Sequence, residues 1–311
     1  MKVLKVMKVL LGPSTFAAQD LSPMERLAEA GCETIKNPFG RKLTKQELLE
    51  LLPGVKGIIA GLETLDEEVM RKSELKVISR CGSGLSNVDV AAAERLGIKV
   101  FSTPQGPTSA VAELTLGAMI NLLRMVSLMD RDMHEGRWTK KIGMQLESKT
   151  VVIVGFGRIG RKVASLLKPF NVRLVAVDHD PGEKIDGVEI LPLDRALAEA
   201  DIVTIHASGE QQIIGDNEFK LIKDGAFLLN AARGGLINEN SLIHAIESGK
   251  IAGAWLDTFS VEPYNGPLTK YPQVVLTPHV GSYTLECRRS MEMEAVENLL
   301  TAFKNIELHE K

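Results

Sequence analysis

The sequence predicts an α/β protein whose strands form doubly wound parallel sheets in two domains, and three observations carry that expectation. Short apolar runs alternate with amphipathic helical segments along most of the chain, which puts a crossover helix between successive strands and so demands parallel pairing. The strand TVVIV passes through a glycine-rich turn directly into the helix RIGRKVASLL, the joint of a βαβ unit. The 311 residues exceed what one hydrophobic core usually serves, so the chain should divide.

Up to about residue 101 the runs read VLKVMKVLL, LSPMERLAEAG, a run near Glu33, LTKQELLELL, GIIAG, DEEVMRKS, KVIS, NVDVAAAERLG and KVF. Ser22 with Glu25, and Thr44 with Glu47, have capping-box spacing, and Pro23 suits a first helical turn. Residues 108 to about 134 read as one long helix, apolar on too many sides to lie on a surface and expected to be buried between domains or subunits. A second series follows: TVVIV, RIGRKVASLL, VRLVAV, LDRALAEA, DIVTIH, DNEFKLIK, AFLLN, ENSLIHAIES, IAGAWLD and VVLTP. The last helix, from about Leu285 to Lys304, has no strand left to pair with in that series and is expected to return to the first domain.

Composition excludes several classes of function. Hydrophobic residues at 44%, charged residues at 25% and a net charge of −3 are those of a globular protein with no pull toward nucleic acid or anionic membrane, so small molecules and further copies of the chain are the expected partners. Cys32, Cys81 and Cys287 are scattered and form no CxxC pair, which indicates neither a disulfide framework nor a thiolate metal site, and no metal is expected. The amino terminus alternates lysine with apolar residues instead of sustaining a signal-peptide core, and Val111 to Met129 is interrupted by Glu113, Asn121 and Arg124, so a cytoplasmic location is expected.

VGFGRIG supplies Gly155, Gly157 and Gly160 between a strand and a helix, the context in which GxGxxG binds a dinucleotide. Gly155 permits the tight turn, Gly157 lets a pyrophosphate approach the backbone, and Gly160 lets helix and strand pack closely. The amides at the helix start, including those of Arg158 and Ile159, then face the phosphates. Asp178 closes the next strand eighteen positions after Gly160, where a carboxylate accepts hydrogen bonds from ribose hydroxyls and repels a 2′-phosphate. With His179 and Asp180 beside it and no arginine, NAD is favoured over NADP.

Three polar residues stand after strands of the second series: Arg233 after AFLLN, Glu262 after GAWLDTFSV and His279 after VVLTP. In open parallel sheets ligands bind outside the carboxyl ends of strands, so the three should meet in the crevice that receives the nicotinamide. Hydride transfer to a carbonyl needs an acid for the developing alkoxide, a role that suits His279, and a neighbouring carboxylate, Glu262, favours the imidazolium form. Arg233 offers a planar fork for a carboxylate and a carbonyl oxygen. In GSGLSNVD, Gly82, Ser83 and Gly84 follow the strand KVIS and precede a helix announced by Ser86 and Asp89, making an amide-rich hollow suited to a carboxylate.

Together the segments RCGSGLSNVD, TPQGPTSAVAELTLG, VGFGRIG, NAARGGLINE, GAWLDTFSVEP and LTPHVGSYT resemble, in order and spacing, the D-isomer-specific 2-hydroxyacid dehydrogenases over almost the whole chain. The resemblance implies a Rossmann NAD domain, residues 102–283, inserted into a flavodoxin-like substrate domain formed by 1–101 and 284–311. It implies Arg233, Glu262 and His279 as the catalytic set, Ser83 and Gly84 amides on the substrate carboxylate, Asp257 near the nicotinamide amide, and Ala231 and His206 in the cofactor loops; homodimers are the usual state. NPFGRKLTKQEL and HEGRWTKK look most like the phosphoglycerate dehydrogenase branch without its regulatory domain, making 3-phosphoglycerate the expected substrate and hydroxypyruvate, glyoxylate or another 2-keto acid the alternative. Two departures bear on that expectation: Gly61 and Glu63 stand where phosphoglycerate members usually carry an arginine, and Lys140 stands in place of another arginine. HASGEQQ replaces the family's usual His-x-Pro stretch near the cofactor, which makes His206 the weaker of the cofactor-loop candidates. Glu262 argues against a formate dehydrogenase, which pairs its histidine with glutamine; an NAD-sensing binding protein on the same fold is the non-enzymatic rival.

Overall fold

The computed structural model describes residues 7–183 and 185–309. They form two compact units, one running to Pro107 and resuming at Tyr283, the other spanning Thr108–Ser282. The first crossing falls at Pro107 and not after residue 101, because Gly106 still packs within the first unit, where a Cβ would lie 2.5 Å from Met291 Cγ.

The first unit is built on five parallel strands: β1 (Lys8–Leu11), β2 (Glu33–Lys36), β3 (Gly57–Ala60), β4 (Val77–Arg80) and β5 (Lys99–Ser102), in the order β2-β1-β3-β4-β5. That is the flavodoxin-like order. The opening strand predicted over VLKVMKVLL is realised only over Lys8–Leu11; residues 1–6 lie outside the described residues. Helices α1 (Ser22–Glu29), α2 (Lys45–Leu51), α3 (Glu67–Arg71) and α4 (Val90–Arg95) provide the crossovers.

Thr44 and Glu47 form the predicted capping box on α2. Ser22 does not cap α1; it already lies inside the helix, and its own N–H donates to Asp20 Oδ1 at 2.9 Å. Ser86 likewise lies in a turn before α4, and Asp89 is the cap, accepting Ala92 N–H at 2.9 Å.

Helices α5 (Pro107–Arg124), whose first residue is the last of the first unit, and α6 (Val126–His134) lead into the second unit and correct the expectation of one long helix. They are bent by 66° at Met125, whose φ of +51° is left-handed. Asn121 fixes the break, accepting Ser127 N–H at 2.8 Å and donating to Ser127 Oγ at 2.7 Å. No single helix among the described residues is long and apolar enough to cross a membrane.

The sheet that follows has seven parallel strands: β6 (Thr150–Val154), β7 (Arg173–Val177), β8 (Val188–Ile190), β9 (Ile202–Ile205), β10 (Ala226–Asn230), β11 (Ile251–Leu256) and β12 (Val274–Leu276). Helices α7 (Arg158–Leu167), α8 (Leu193–Glu199), α9 (Asp216–Leu221) and α10 (Glu239–Glu247) accompany them. The order β12-β11-β10-β9-β6-β7-β8 reverses direction between β6 and β9, the Rossmann switch point. β6 is buried along its whole length and serves two cores: Val151 and Ile153 pack with Trp255 and Leu229 on one face, Val152 and Val154 with Val203 and Leu228 on the other.

After Ser282 the chain returns to the first unit as α11 (Leu285–His309), which lies across β3, β4 and β5. Gly57 permits the approach, since a Cβ there would sit 2.6 Å from Phe303 Cζ, and Ser79 Oγ donates to Ala295 O at 2.8 Å.

Candidate active site

The glycine loop occupies the switch point. Gly155 turns out of β6 with φ +93°, and a Cβ there would lie 2.3 Å from Ala207 N, so glycine is needed both for the turn and for the close pass of the chain leaving β9. Gly160 meets Gly155 O at 2.2 Å by the same construction, which is the predicted helix-on-strand contact. At Gly157 nothing lies within 4 Å of an added Cβ, leaving open space at the start of α7, where no side chain caps the amides of Arg158 and Ile159.

Asp178 follows β7 and accepts Phe156 N–H at 2.6 Å on one oxygen and Asp180 N–H at 3.0 Å on the other. Each oxygen keeps a further lone pair for a ribose hydroxyl. Arg161, which sequence reasoning passed over, ties this loop to the glycine turn: Nε donates to Phe156 O at 3.1 Å and Nη2 to Glu183 O at 2.7 Å. Open space, uncapped amides and a carboxylate acceptor together fit a dinucleotide.

Arg233, Glu262 and His279 leave the carboxyl ends of the adjacent strands β10, β11 and β12. His279 Nδ1 and Glu262 Oε2 are 2.9 Å apart, and Glu262 Oε1 accepts Phe259 N–H at 3.0 Å. Burial pushes the Glu262 carboxyl up, but the bonds from His279 and Phe259 and the charges of His279 and Arg233 outweigh it and hold the group below its ordinary 4.5. Arg233 is half-buried and turns one N–H back to Ala232 O at 2.7 Å. Asn230 fixes its backbone, donating to Arg233 O at 2.8 Å and accepting Ala232 N–H at 3.0 Å. Gly234 lets the loops of Arg233 and Glu262 meet, since a Cβ there would fall 2.0 Å from Phe259 C.

Residues 116–281 match the model of the D-isomer specific 2-hydroxyacid dehydrogenase NAD binding domain. A hydroxypyruvate reductase of Thermotoga maritima is 35% identical over 268 residues, covering 83% of this chain and 88% of that protein. The chain belongs to the D-isomer-specific 2-hydroxyacid dehydrogenase family. A D-3-phosphoglycerate dehydrogenase of Archaeoglobus fulgidus is 34% identical over 277 residues, 85% of this chain, but the chain spans only 52% of that relative's length. The crystal structure of the TT0316 protein from Thermus thermophilus superposes with a TM-score of 0.87 at 33% identity, covering 96% of this chain and 97% of that one.

Within this family member the remaining sequence-derived residues fall into different settings. Asp257, 1% exposed, accepts Thr277 Oγ1–H at 2.6 Å, Val280 N–H at 2.9 Å and Gly281 N–H at 2.8 Å, so it braces the turn that carries His279. His206 is half-buried as a residue, yet its Nδ1 is buried and has no partner among the described residues; Nε2 lies 2.9 Å from Thr204 Oγ1. Burial lowers the imidazole to about 4. It is the backbone of residues 206 and 207 that abuts the glycine turn. Ala231 and Ile159 are partly buried against the core on the Trp255 face.

In the first unit the loop after β4 divides its amides. Gly82 is buried with φ +144°, its N–H donates to Thr103 Oγ1 at 2.7 Å, and a Cβ there would collide with the Arg80 guanidinium. Gly82 therefore makes room for Arg80 and has no amide to offer a ligand, while Ser83 is exposed and Gly84 half-buried. On the adjacent β3 loop Glu63, 1% exposed, accepts Gly61 N–H at 2.7 Å. Burial pushes its carboxyl up against the opposing charges of Arg80 and Lys42. Among the described residues no cluster of three or more His, Cys, Asp or Glu side chains is arranged to hold a metal ion, and the three cysteines are free thiols.

Proposed function

We propose that this chain is an NAD-dependent dehydrogenase that interconverts a small D-2-hydroxy acid and the corresponding 2-keto acid. The observation that carries the reading is the His279–Glu262 pair at 2.9 Å, with the Arg233 charge acting on it, at the carboxyl ends of three neighbouring Rossmann strands.

When bound, the nicotinamide supplies or accepts the hydride. The residues that would hold the cofactor are Gly157, the amides of Arg158 and Ile159, and Asp178. The Asp178 carboxylate and exposed Asp180 disfavour a 2′-phosphate, and Arg161 is committed to backbone carbonyls, which supports NAD over NADP.

His279 gives its proton to the substrate oxygen during reduction and takes it back during oxidation. Glu262 engages Nδ1 and so leaves Nε2 as the working nitrogen. The free N–H groups of Arg233 hold the substrate carboxylate and polarise the carbonyl. Ser83 and Gly84 are proposed as further carboxylate donors, with Gly82 reassigned to the loop's shape.

The substrate's tail divides two readings. Glu63 puts a buried acid beside Arg80 at the carboxyl edge of the first sheet, which favours an unphosphorylated acid such as hydroxypyruvate or glyoxylate. Lys140, exposed in the second unit, and the phosphoglycerate dehydrogenase relatives favour 3-phosphoglycerate. Turnover of NADH with hydroxypyruvate, glyoxylate and phosphohydroxypyruvate tests both levels. Activity with any of them supports the reaction class, the preferred substrate decides the tail, and inactivity with every 2-keto acid leaves the NAD-sensing reading in its place.

A homodimer is the proposed assembly. Trp138 is 77% and Ile142 98% exposed, with Val126 and Met133 also exposed nearby in sequence, an apolar surface that a second copy would cover. A monomer by light scattering at micromolar concentration would exclude it.

A further inference from the structure

A chain of hydrogen bonds behind His279 has a direction that its chemistry fixes. Trp255 lies buried in β11, and its indole Nε1–H donates to Thr277 Oγ1 at 3.0 Å. An indole nitrogen can only donate, so the Thr277 oxygen must accept there. The hydroxyl's single proton is then committed to its other partner, Asp257 Oδ1, at 2.6 Å. Asp257 in turn accepts the N–H groups of Val280 and Gly281, the two residues that follow His279. Thr277 also holds the other side of the turn, since its carbonyl accepts His279 N–H at 2.9 Å.

His279 needs this support because its φ of +55° lies in the left-handed region that a residue with a Cβ adopts only when its surroundings enforce it. Gly281 completes the frame: a Cβ there would lie 3.0 Å from Asp257 Oδ2 and 3.1 Å from Val111 Cγ2.

We propose that Thr277 is a positioning residue for the imidazole, its hydroxyl oriented by Trp255 so that Asp257 clamps the turn and holds His279 in its strained backbone conformation. The proposal rests on the dehydrogenase reading for its kinetic consequence and on geometry alone for its structural one. Glu262 sets the ring from the front, while the Trp255–Thr277–Asp257 relay sets the backbone from behind.

The test is Thr277→Val, which keeps the shape and removes the hydroxyl, beside Thr277→Ser and Trp255→Phe, all in the full chain. Turnover with NADH and hydroxypyruvate or glyoxylate is read together with amide hydrogen exchange at Val280 and Gly281. Thr277→Val is expected to lower kcat roughly ten- to a hundredfold with KM for NADH changed less than about threefold, and to speed exchange at both amides. Thr277→Ser should restore both, and Trp255→Phe should reproduce the pattern more weakly. Wild-type kcat or wild-type exchange in Thr277→Val overturns the proposal, as does exchange unaffected by Trp255→Phe. If the parent chain turns over no 2-keto acid, the dehydrogenase reading fails on its own, and the exchange rates still decide the relay by the same criterion.

Discussion

Glu262 Oε2 and His279 Nδ1 are 2.9 Å apart, while the other Glu262 oxygen is held by the Phe259 N–H at 3.0 Å, so the carboxylate that orients the imidazole is itself fixed by backbone. Glu262→Gln keeps an acceptor for Phe259 but loses the negative charge that faces His279 Nδ1. We expect kcat to fall at least roughly a hundredfold with NADH affinity retained. Because the folded carboxyl is depressed below 4.5, its contribution to stability is present above the ordinary carboxylate range and lost as pH falls through its folded value. Steady-state kinetics with a titration of NADH fluorescence check the first statement.

Arg233→Lys replaces a planar fork with a point charge. The backbone that presents the residue is fixed by Asn230, so the variant should fold while kcat/KM for the keto acid drops roughly a hundredfold or more. Near-normal kcat and KM would remove Arg233 from the substrate's carboxylate.

Asp178→Asn retains an acceptor for Phe156 N–H and removes the negative charge facing the ribose. The preference for NAD over NADP, read as a ratio of kcat/KM values, should fall at least roughly tenfold. A parent chain that prefers NADP would already contradict the pocket assignment.

His206 gives the molecule an acid-sensitive element. Its folded value is lowered to about 4 from 6.5, so between those limits the unfolded chain binds a proton that the folded chain does not. Stability therefore falls as pH drops through that window, and the contribution is flat outside it. Urea unfolding of wild type and His206→Gln at about pH 7 and about pH 5 isolates the effect: the variant should lose less stability on acidification.

Much of this was legible in the chain. β6 and α7 are bounded by local signals, an apolar β-branched run and a glycine turn, and Arg233, Glu262 and His279 follow β10, β11 and β12, strands whose carboxyl ends the parallel sheet sets side by side. The break at Met125 was not legible, because a left-handed methionine carries no glycine to announce it and its stabilising contact runs from Asn121 to Ser127. β8 is three residues long and mostly exposed, too short for periodicity to mark. Gly82 looked like an anion-binding glycine, but its N–H is taken by Thr103, twenty-one residues away. Thr277 carries no local signal for the same reason: its partners Trp255 and Asp257 lie on the neighbouring strand and just beyond it, and only the β11–β12 register brings them together.

The most direct test of the account is His279→Ala, compared with wild type for turnover of NADH with the best substrate of the 2-keto acid panel and for NADH binding. Loss of roughly a hundred- to ten-thousandfold in kcat with unchanged NADH affinity is the predicted result. Undiminished turnover in that variant would contradict the assignment of His279 as the proton donor.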